Sequence, residues 1–365
     1  MKLFQTKRRG VPIWTLIALA IALVSCIVYL AALNSREISD WVNSTLSVFI
    51  RRIGAYATYV FPFSVFELML ISLVPSVIIL IVVLVKRTES VKDRIRSIFS
   101  LIGIISLLFT SYVYTLGIGY HTTPLSDRMG IEDKCDITTE QIYDTAKIVR
   151  DELNAIAGRL TRDGVTVMPY DIDELNRRIV SAYDVFVEEY PVLTNYSSRA
   201  KPIVFSGVMS DLRITGIYSF FTGEANVNYG VYPDFVLPFT VAHEFAHQRG
   251  VCRENEANFV AFLVCISSDD DFIKYSGYLN LYQYLASAAY SADKEAYPEL
   301  ASGLSEIARA DLRRYNEVYK EHEDSLLGEI NEKINDFYLK ANGTQGTVTY
   351  GYVVRLAVSY YNTEK

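Results

Sequence analysis

The sequence predicts a multi-pass membrane protein with three transmembrane helices, followed by a mainly α-helical α+β domain with a small sheet. Three observations predict it. Long apolar runs crowd the first third of the 365 residues, lifting the hydrophobic fraction to 50% and mean hydropathy to +0.16. Helix-like patterns then dominate, interrupted by one region of β-branched and aromatic residues between Pro202 and Tyr229. Finally, His243-Glu244-Phe245-Ala246-His247 forms an HExxH motif inside an apolar helical pattern.

The apolar runs are Val11 to Leu33, which is uncharged, Val65 to Val85, which contains Glu67 and Pro75, and Phe99 to Gly119. Each is long enough to cross a hydrocarbon core of about 30 Å as a helix. Lys7, Arg8 and Arg9 before the first run also suit a signal peptide, but the apolar stretch is too long and "YLAALNS" is a mediocre cleavage site. Residues 1–119 are therefore expected to form a membrane domain and 120–365 a second domain. Nine Lys and Arg occupy the N-terminal tail and the loop between the second and third runs, against three, Arg36, Arg51 and Arg52, between the first and second. That asymmetry puts the N-terminus in the cytoplasm and residues 120–365 outside it. Between the first two runs, Ile38, Trp41, Val42, Leu46, Phe49 and Ile53 recur at helical steps, with Arg51 and Arg52 off the stripe. Such a stripe suits either a helix lying in the membrane interface or one packed on the second domain.

In the second domain, Thr138 and Gln141 form a capping box opening a helix to about Leu160, and another helix runs from Ile172 to Tyr190. "PIVFSG" and "IYSFFTGEANVNY" read as strands. Alternation in Glu224 to Asn228 suggests a half-buried edge strand. After the motif, helices are expected over Asp271 to Ala292, from Pro298 to about His322, up to the Asn342-Gly343 turn, and over "YGYVVRLAVSYY".

The motif carries the chemistry. Residues four apart on a helix share a face, so both imidazoles can reach one metal ion while Glu244 reaches its open side. That pattern suits Zn²⁺ with a metal-bound water deprotonated by a carboxylate. Pro238 suits the helix start and Gly250 the position past its end. A following helix begins near Arg253 and offers Glu254 or Glu256 as third ligand. Glu254 is preferred because Asn258, one turn on, can share its face and hydrogen-bond a ligand histidine. An HExxHxxGxxH reading fails, since Arg253 stands at its third histidine.

HExxH followed by a glutamate is similar to the gluzincin branch of zinc peptidases. The succession of membrane spans, "GEANVN" at Gly223 to Asn228, "HEFAHQRG" at His243 to Gly250 and "ENEANF" at Glu254 to Phe259 resembles the domain of unknown function 3810 family, uncharacterised membrane proteins of bacteria. The resemblance implies a zincin-like domain in a bacterial cell membrane, an edge strand pairing with extended substrate, and no particular substrate.

The function expected is a membrane-anchored zinc-dependent hydrolase, a metallopeptidase acting outside the cytoplasmic membrane, with metal ligands His243, His247 and Glu254 and general base Glu244. A zinc peptidase also needs an oxyanion donor, for which His322, Tyr350 and Arg355 are candidates. A non-catalytic, metal-stabilised sensor or binding domain is the alternative, as is hydrolysis of a non-protein envelope amide. Membrane lipid and a peptide or protein substrate are the expected partners. The net charge of −7 offers no basic patch for nucleic acid. Of four cysteines, Cys26 lies in the first apolar run, Cys135 can enter a disulfide, Cys252 lies just past the motif helix, and Cys265 reads as core.

Overall fold

The computed structural model describes residues 11–86, 91–131, 136–343 and 350–363. The tail cations at positions 2 and 7–9, Arg87 and Cys135 lie outside the described residues. The chain opens with α1 (Ile13–Asn34), α2 (Arg36–Val42), a π-helical turn (Asn43–Ser47) and α3 (Val48–Tyr59). Helices α4 (Val65–Lys86) and α5 (Val91–Thr115) follow.

Two described helices, α1 and α5, are long and apolar enough to cross a membrane, not the three expected. The middle run is helical in α4, but its qualifying apolar stretch is Val65–Ile79. Helix α4 as a whole has 22 residues, about 33 Å at 1.5 Å per residue. Helix α5 also starts two turns earlier than expected, taking Lys92, Arg94 and Arg96 into its first turns, and stops at Thr115. Helices α1 and α5 pack parallel. Gly103 lies against Trp14 and Thr15, Ser25 Oγ donates to Thr110 Oγ1 at 3.4 Å, and the Tyr29 ring meets Tyr112 edge-on.

The segment from α2 to α3 is amphipathic with its polar side inward. Ser39, Asn43, Ser47 and Arg51, spaced one helical turn apart, are buried, whereas Trp41 and Phe49 are 65% and 61% exposed. Arg51 donates to Asn43 Oδ1 (2.9 Å), the Asn43 carbonyl (3.0 Å) and the Tyr114 carbonyl (3.3 Å). Asn43 Nδ2 donates to the Gly250 carbonyl at 3.2 Å. The polar edge thus packs on the body of the protein, and the apolar stripe of Ile38, Trp41, Phe49 and Ile53 faces away from it.

The body begins with α6 (Leu125–Met129), α7 (Thr139–Ala157), the short β1–β2 hairpin (Arg162–Asp163 and Val165–Thr166) and α8 (Ile172–Glu189). The Thr138–Gln141 capping box opens α7 as expected. Strand β3 (Ala200–Pro202), α9 (Ser206–Asp211), β4 (Gly216–Ser219) and β5 (Glu224–Val227) follow. Then come α10 (Leu237–Gln248), α11 (Glu254–Ser267), α12 (Asp271–Ala292), α13 (Tyr297–Ser302), α14 (Glu306–Glu321), α15 (Leu326–Ala341) and α16 (Tyr350–Thr363). The apolar faces of α7, α8, α10, α11, α12 and α16 share one core around Phe186, Phe245, Phe259 and Phe262.

Three expectations change. The three-stranded sheet has the order β3-β5-β4, so the "GEANVN" strand is central rather than an edge. β5 pairs in parallel with β3 (Ala200↔Ala225) and antiparallel with β4 (Gly216↔Val227). Its polar residues mimic an exposed face but are buried and paired. "PIVFSG" contributes only Pro202 to a strand, and its Ser206 starts α9. The helix expected from Pro298 to His322 is broken at Gly303–Ser305, where Ser305 caps α14 through the Ala308 N–H.

Glu224 explains why a buried carboxylate is tolerated in β5. It accepts from the Val65 and Phe66 N–H groups at 3.0 and 2.7 Å and pairs with buried Lys201 of β3. Carboxylates suit helix N-termini, where free N–H groups and the helix dipole both favour negative charge. Glu67 of α4 returns the contact, accepting from the Val204 and Phe205 N–H groups at 3.0 and 2.8 Å. Lys201→Ala is expected to cost about 3 kcal/mol in denaturant unfolding of the detergent-solubilised protein, because it leaves Glu224 charged and buried. A loss within error of zero would show that the pair carries no stability.

Candidate metal centre

Helix α10 carries the HExxH motif and packs against β4, β5 and α11. Pro238 occupies its first turn and the Phe239 N–H finds Ser276 Oγ at 3.1 Å. Its end is a Schellman motif: the Val251 N–H donates to the Ala246 carbonyl and the Gly250 N–H to the His247 carbonyl, both at 3.0 Å. Gly250 has φ +94°, and a Cβ there would lie 2.3 Å from Arg51 Nη2. Only glycine meets both demands. The reversed chain then starts α11 at Glu254, opposite the motif.

The three expected ligands meet. His243 Nε2 lies 3.3 Å from Glu254 Oε2, and His247 Nε2 lies 3.5 Å from Glu254 Oε1. All three ligand atoms fall within 4.8 Å of one another. His247 Nδ1 lies 2.8 Å from the Val251 carbonyl, an acceptor only, so the proton sits on Nδ1 and Nε2 is free to ligate. Burial alone disfavours a charged His247, but the adjacent Glu254 carboxylate outweighs it and raises the imidazole to about 9. Burial likewise works against ionised Glu254, yet the two imidazoles hold it well below the usual carboxylate range. A cation at this point satisfies the same charges, and two imidazoles with one carboxylate form a donor set that Zn²⁺ takes.

Glu256 turns the other way. It is buried, accepts from the Leu125 N–H at 2.9 Å and from Arg253 Nη1 at 2.8 Å, and so anchors α6. Asn258 lines the cavity beside the triad but hydrogen-bonds neither histidine among the described residues, contrary to expectation. The backbone carbonyl of Val251 orients His247 instead, and buried His243 Nδ1 has no partner among them.

Glu244 is buried at the wall of a cavity of about 730 Å³ that also reaches His243, His247 and Glu254. Its Oε2 has no hydrogen-bond partner among the described residues. A Cβ on Gly216 of β4 would lie 2.5 Å from Glu244 Oε1, so the glycine makes room for this carboxylate. Burial raises the Glu244 carboxyl above its ordinary range, opposed by both histidines. The expected oxyanion donors are elsewhere: His322 Nδ1 lies 2.8 Å from Asp211 Oδ1, Arg355 stacks 4.8 Å over Tyr352, and the Tyr350 side chain lies outside the description. The cavity presents Tyr120 and Tyr338 instead, their rings edge-to-face at 5.9 Å. No spacing in the sequence singles them out, because they approach from segments more than two hundred residues apart.

The comparisons with known proteins bear on the whole assembly. The chain belongs to the DUF3810 family, proteins of unknown function. The family match covers residues 42–358, from the end of α2 into α16. No curated protein and no solved structure matches the chain. The likeness to gluzincins rests on the motif residues alone.

A carboxyl raised by burial adds stability below its unfolded value and loses it as pH rises through the folded one. Glu244→Gln, a neutral isostere, is therefore expected to raise the melting temperature of chelator-treated protein more at pH 8 than at pH 4. Equal effects at both pH values would show that burial does not strain the ionised group.

Proposed function

We propose that the protein is a membrane-anchored zinc-dependent hydrolase, a metallopeptidase with a zincin-like domain acting outside the cytoplasmic membrane. The observation that carries this is the convergence of His243, His247 and Glu254 beside a buried carboxylate, Glu244, at the wall of an open cavity. His243, His247 and Glu254 would hold Zn²⁺, which lowers the pKa of a bound water toward about 7 and polarises a scissile carbonyl. Glu244 would accept a proton from the attacking water and return it to the leaving amine, a role suited to a carboxyl raised by burial. Tyr338 and Tyr120 are among the tyrosines lining the cavity that are candidates to stabilise an oxyanion. Strand β4 lines the cavity at the edge of the sheet and offers an extended peptide its free side, the role that the resemblance to zinc peptidases implied for β5.

The parallel packing of α1 and α5 supports a third crossing. Two parallel spans joined by a continuous chain need a return path, and α4 is the apolar helix between them. The charge asymmetry then supports an extracytoplasmic body. A purely structural metal site is the weaker reading, since such sites are closed by four protein ligands, whereas three converge here and face a cavity.

Purified Glu244→Gln is expected to retain zinc and lose peptide hydrolysis by at least about a hundredfold. Full activity in that variant would refute the mechanism. Glu254→Ala should lose zinc on dialysis, whereas Glu256→Ala should keep it and unfold more easily, because Leu125 N–H and Arg253 lose their buried acceptor. Metal content of the two variants decides between these glutamates. A cysteine at Ser302 should react with an impermeant thiol reagent in intact spheroplasts; labelling only after lysis would invert the topology.

A further inference from the structure

Helix α15 is amphipathic with its apolar side outward. Leu327, Ile330, Ile334 and Phe337 are exposed, Phe337 by 75%. Its other face is tied down. Asn331 Nδ2 donates to the Leu212 carbonyl at 3.0 Å and Arg213 pairs with Glu332 at 2.5 Å. Just past its end, Asn342 accepts from Tyr112 of α5. Tyr112 lies within one turn of the end of α5 at Thr115. At the other end of the same surface, α9 and the residues before it expose Val204 (81%) and Phe205 (54%). The N–H groups of those two residues bind Glu67, in the first turn of α4. The tip of the β4–β5 hairpin joins them, where the Phe220 carbonyl accepts from Ser111 and Thr115 of α5 at 2.6 and 3.1 Å. This apolar surface is thus tied by hydrogen bonds to the C-terminal end of α5 and the N-terminal end of α4, two apolar helices with largely exposed side chains.

We infer that the α9–α15 face sits in the membrane interface and that the metal cavity therefore opens at the bilayer surface, taking polypeptide held there by a lipid or membrane anchor. The substrate class rests on the peptidase reading above; the membrane seat does not. An exposed apolar patch continuous with membrane helices finds its complement in lipid. Helix α15 also links the two features: Asn331, Ile334 and Tyr338 line the cavity that holds His243 and Glu254, as do Leu116 and Phe220 beside the end of α5. The mouth is therefore walled by elements that touch the ends of the membrane helices, and a segment emerging from the bilayer reaches the site within a few residues.

The test uses full-length protein with zinc bound, reconstituted in phosphatidylethanolamine–phosphatidylglycerol vesicles containing a lipid nitroxide. A fluorophore is placed at Phe337→Cys or at Ser302→Cys, with Cys26 and Cys135 replaced by serine. Quenching roughly tenfold stronger at 337 than at 302 is expected for a residue within the interface. Equal quenching overturns the membrane seat, as does a label at 337 shielded by cross-linking to a second copy. In the same vesicles, quenched-fluorescent peptides of mixed sequence are supplied free or palmitoylated. The tethered form should be cut at least about tenfold faster, because tethering raises its local concentration. The double variant Leu327→Glu/Phe337→Glu should bring that ratio near one without changing the rate on free peptide. Equal rates on both peptides in the wild type overturn the substrate class and leave the hydrolase reading intact. Turnover of neither peptide overturns the peptidase reading and the substrate class with it, while quenching at 337 still decides the seat.

Discussion

The reversal at Gly250 is the constraint on which the candidate centre depends. A Schellman motif turns the chain through a positive φ, so that α11 starts with Glu254 facing the imidazoles of α10. The same turn presents the Val251 carbonyl to His247 Nδ1. One backbone event thus supplies the third candidate ligand and the group that fixes the histidine tautomer. The turn rests on Arg51 and Asn43, residues from the segment between the apolar helices. A methyl group at Gly250 would collide with the Arg51 guanidinium.

The N-terminal helices and the body are joined by a network of polar contacts beside a small apolar cluster of Phe66 with Ile203 and Met209. Ser39, Asn43, Ser47 and Arg51 point inward, and Glu224 and Glu67 each cap a backbone segment of the other part. Buried polar groups need partners of defined geometry, so this joint specifies orientation more sharply than apolar packing does. It also leaves the apolar side chains of α2, α3, α9 and α15 outside. In water that arrangement would be costly; beside lipid it becomes a seat.

The electrostatics of the centre follow from burial and proximity. Glu254 and the imidazoles share charge across distances of 3.3 and 3.5 Å, while Glu244, set apart behind Gly216, is destabilised as an anion. Two carboxylates in one cavity thus acquire opposite tendencies from their surroundings, one held charged and one made basic. That separation of roles suits one to a ligand and the other to proton transfer.

How much was legible in the sequence follows from the range of the forces involved. Helix periodicity, the Thr138 capping box, the Pro238 start and the Gly250 stop are local, and α7, α8, α10, α11 and α12 appeared close to where they were expected. The His243, His247 and Glu254 trio was legible because helical spacing and one short turn bring them together. Burial of β5 was not legible: Glu224 looks solvated until Lys201 and the N-terminus of α4 supply its partners, and Asn226 and Asn228 until the Ile217 carbonyl and Ser210 do. Nor was the cavity, whose tyrosines arrive from β4, α12, α14, α15 and the segment after α5. The sequence by itself determined most of the helices and the spacing of the candidate ligands, because those depend on residues a turn or two apart. Only the tertiary structure decided which polar residues go inside, which strand stands at the edge and which side chains face the candidate ligands, because each of those depends on contacts between segments that the chain's order does not bring together.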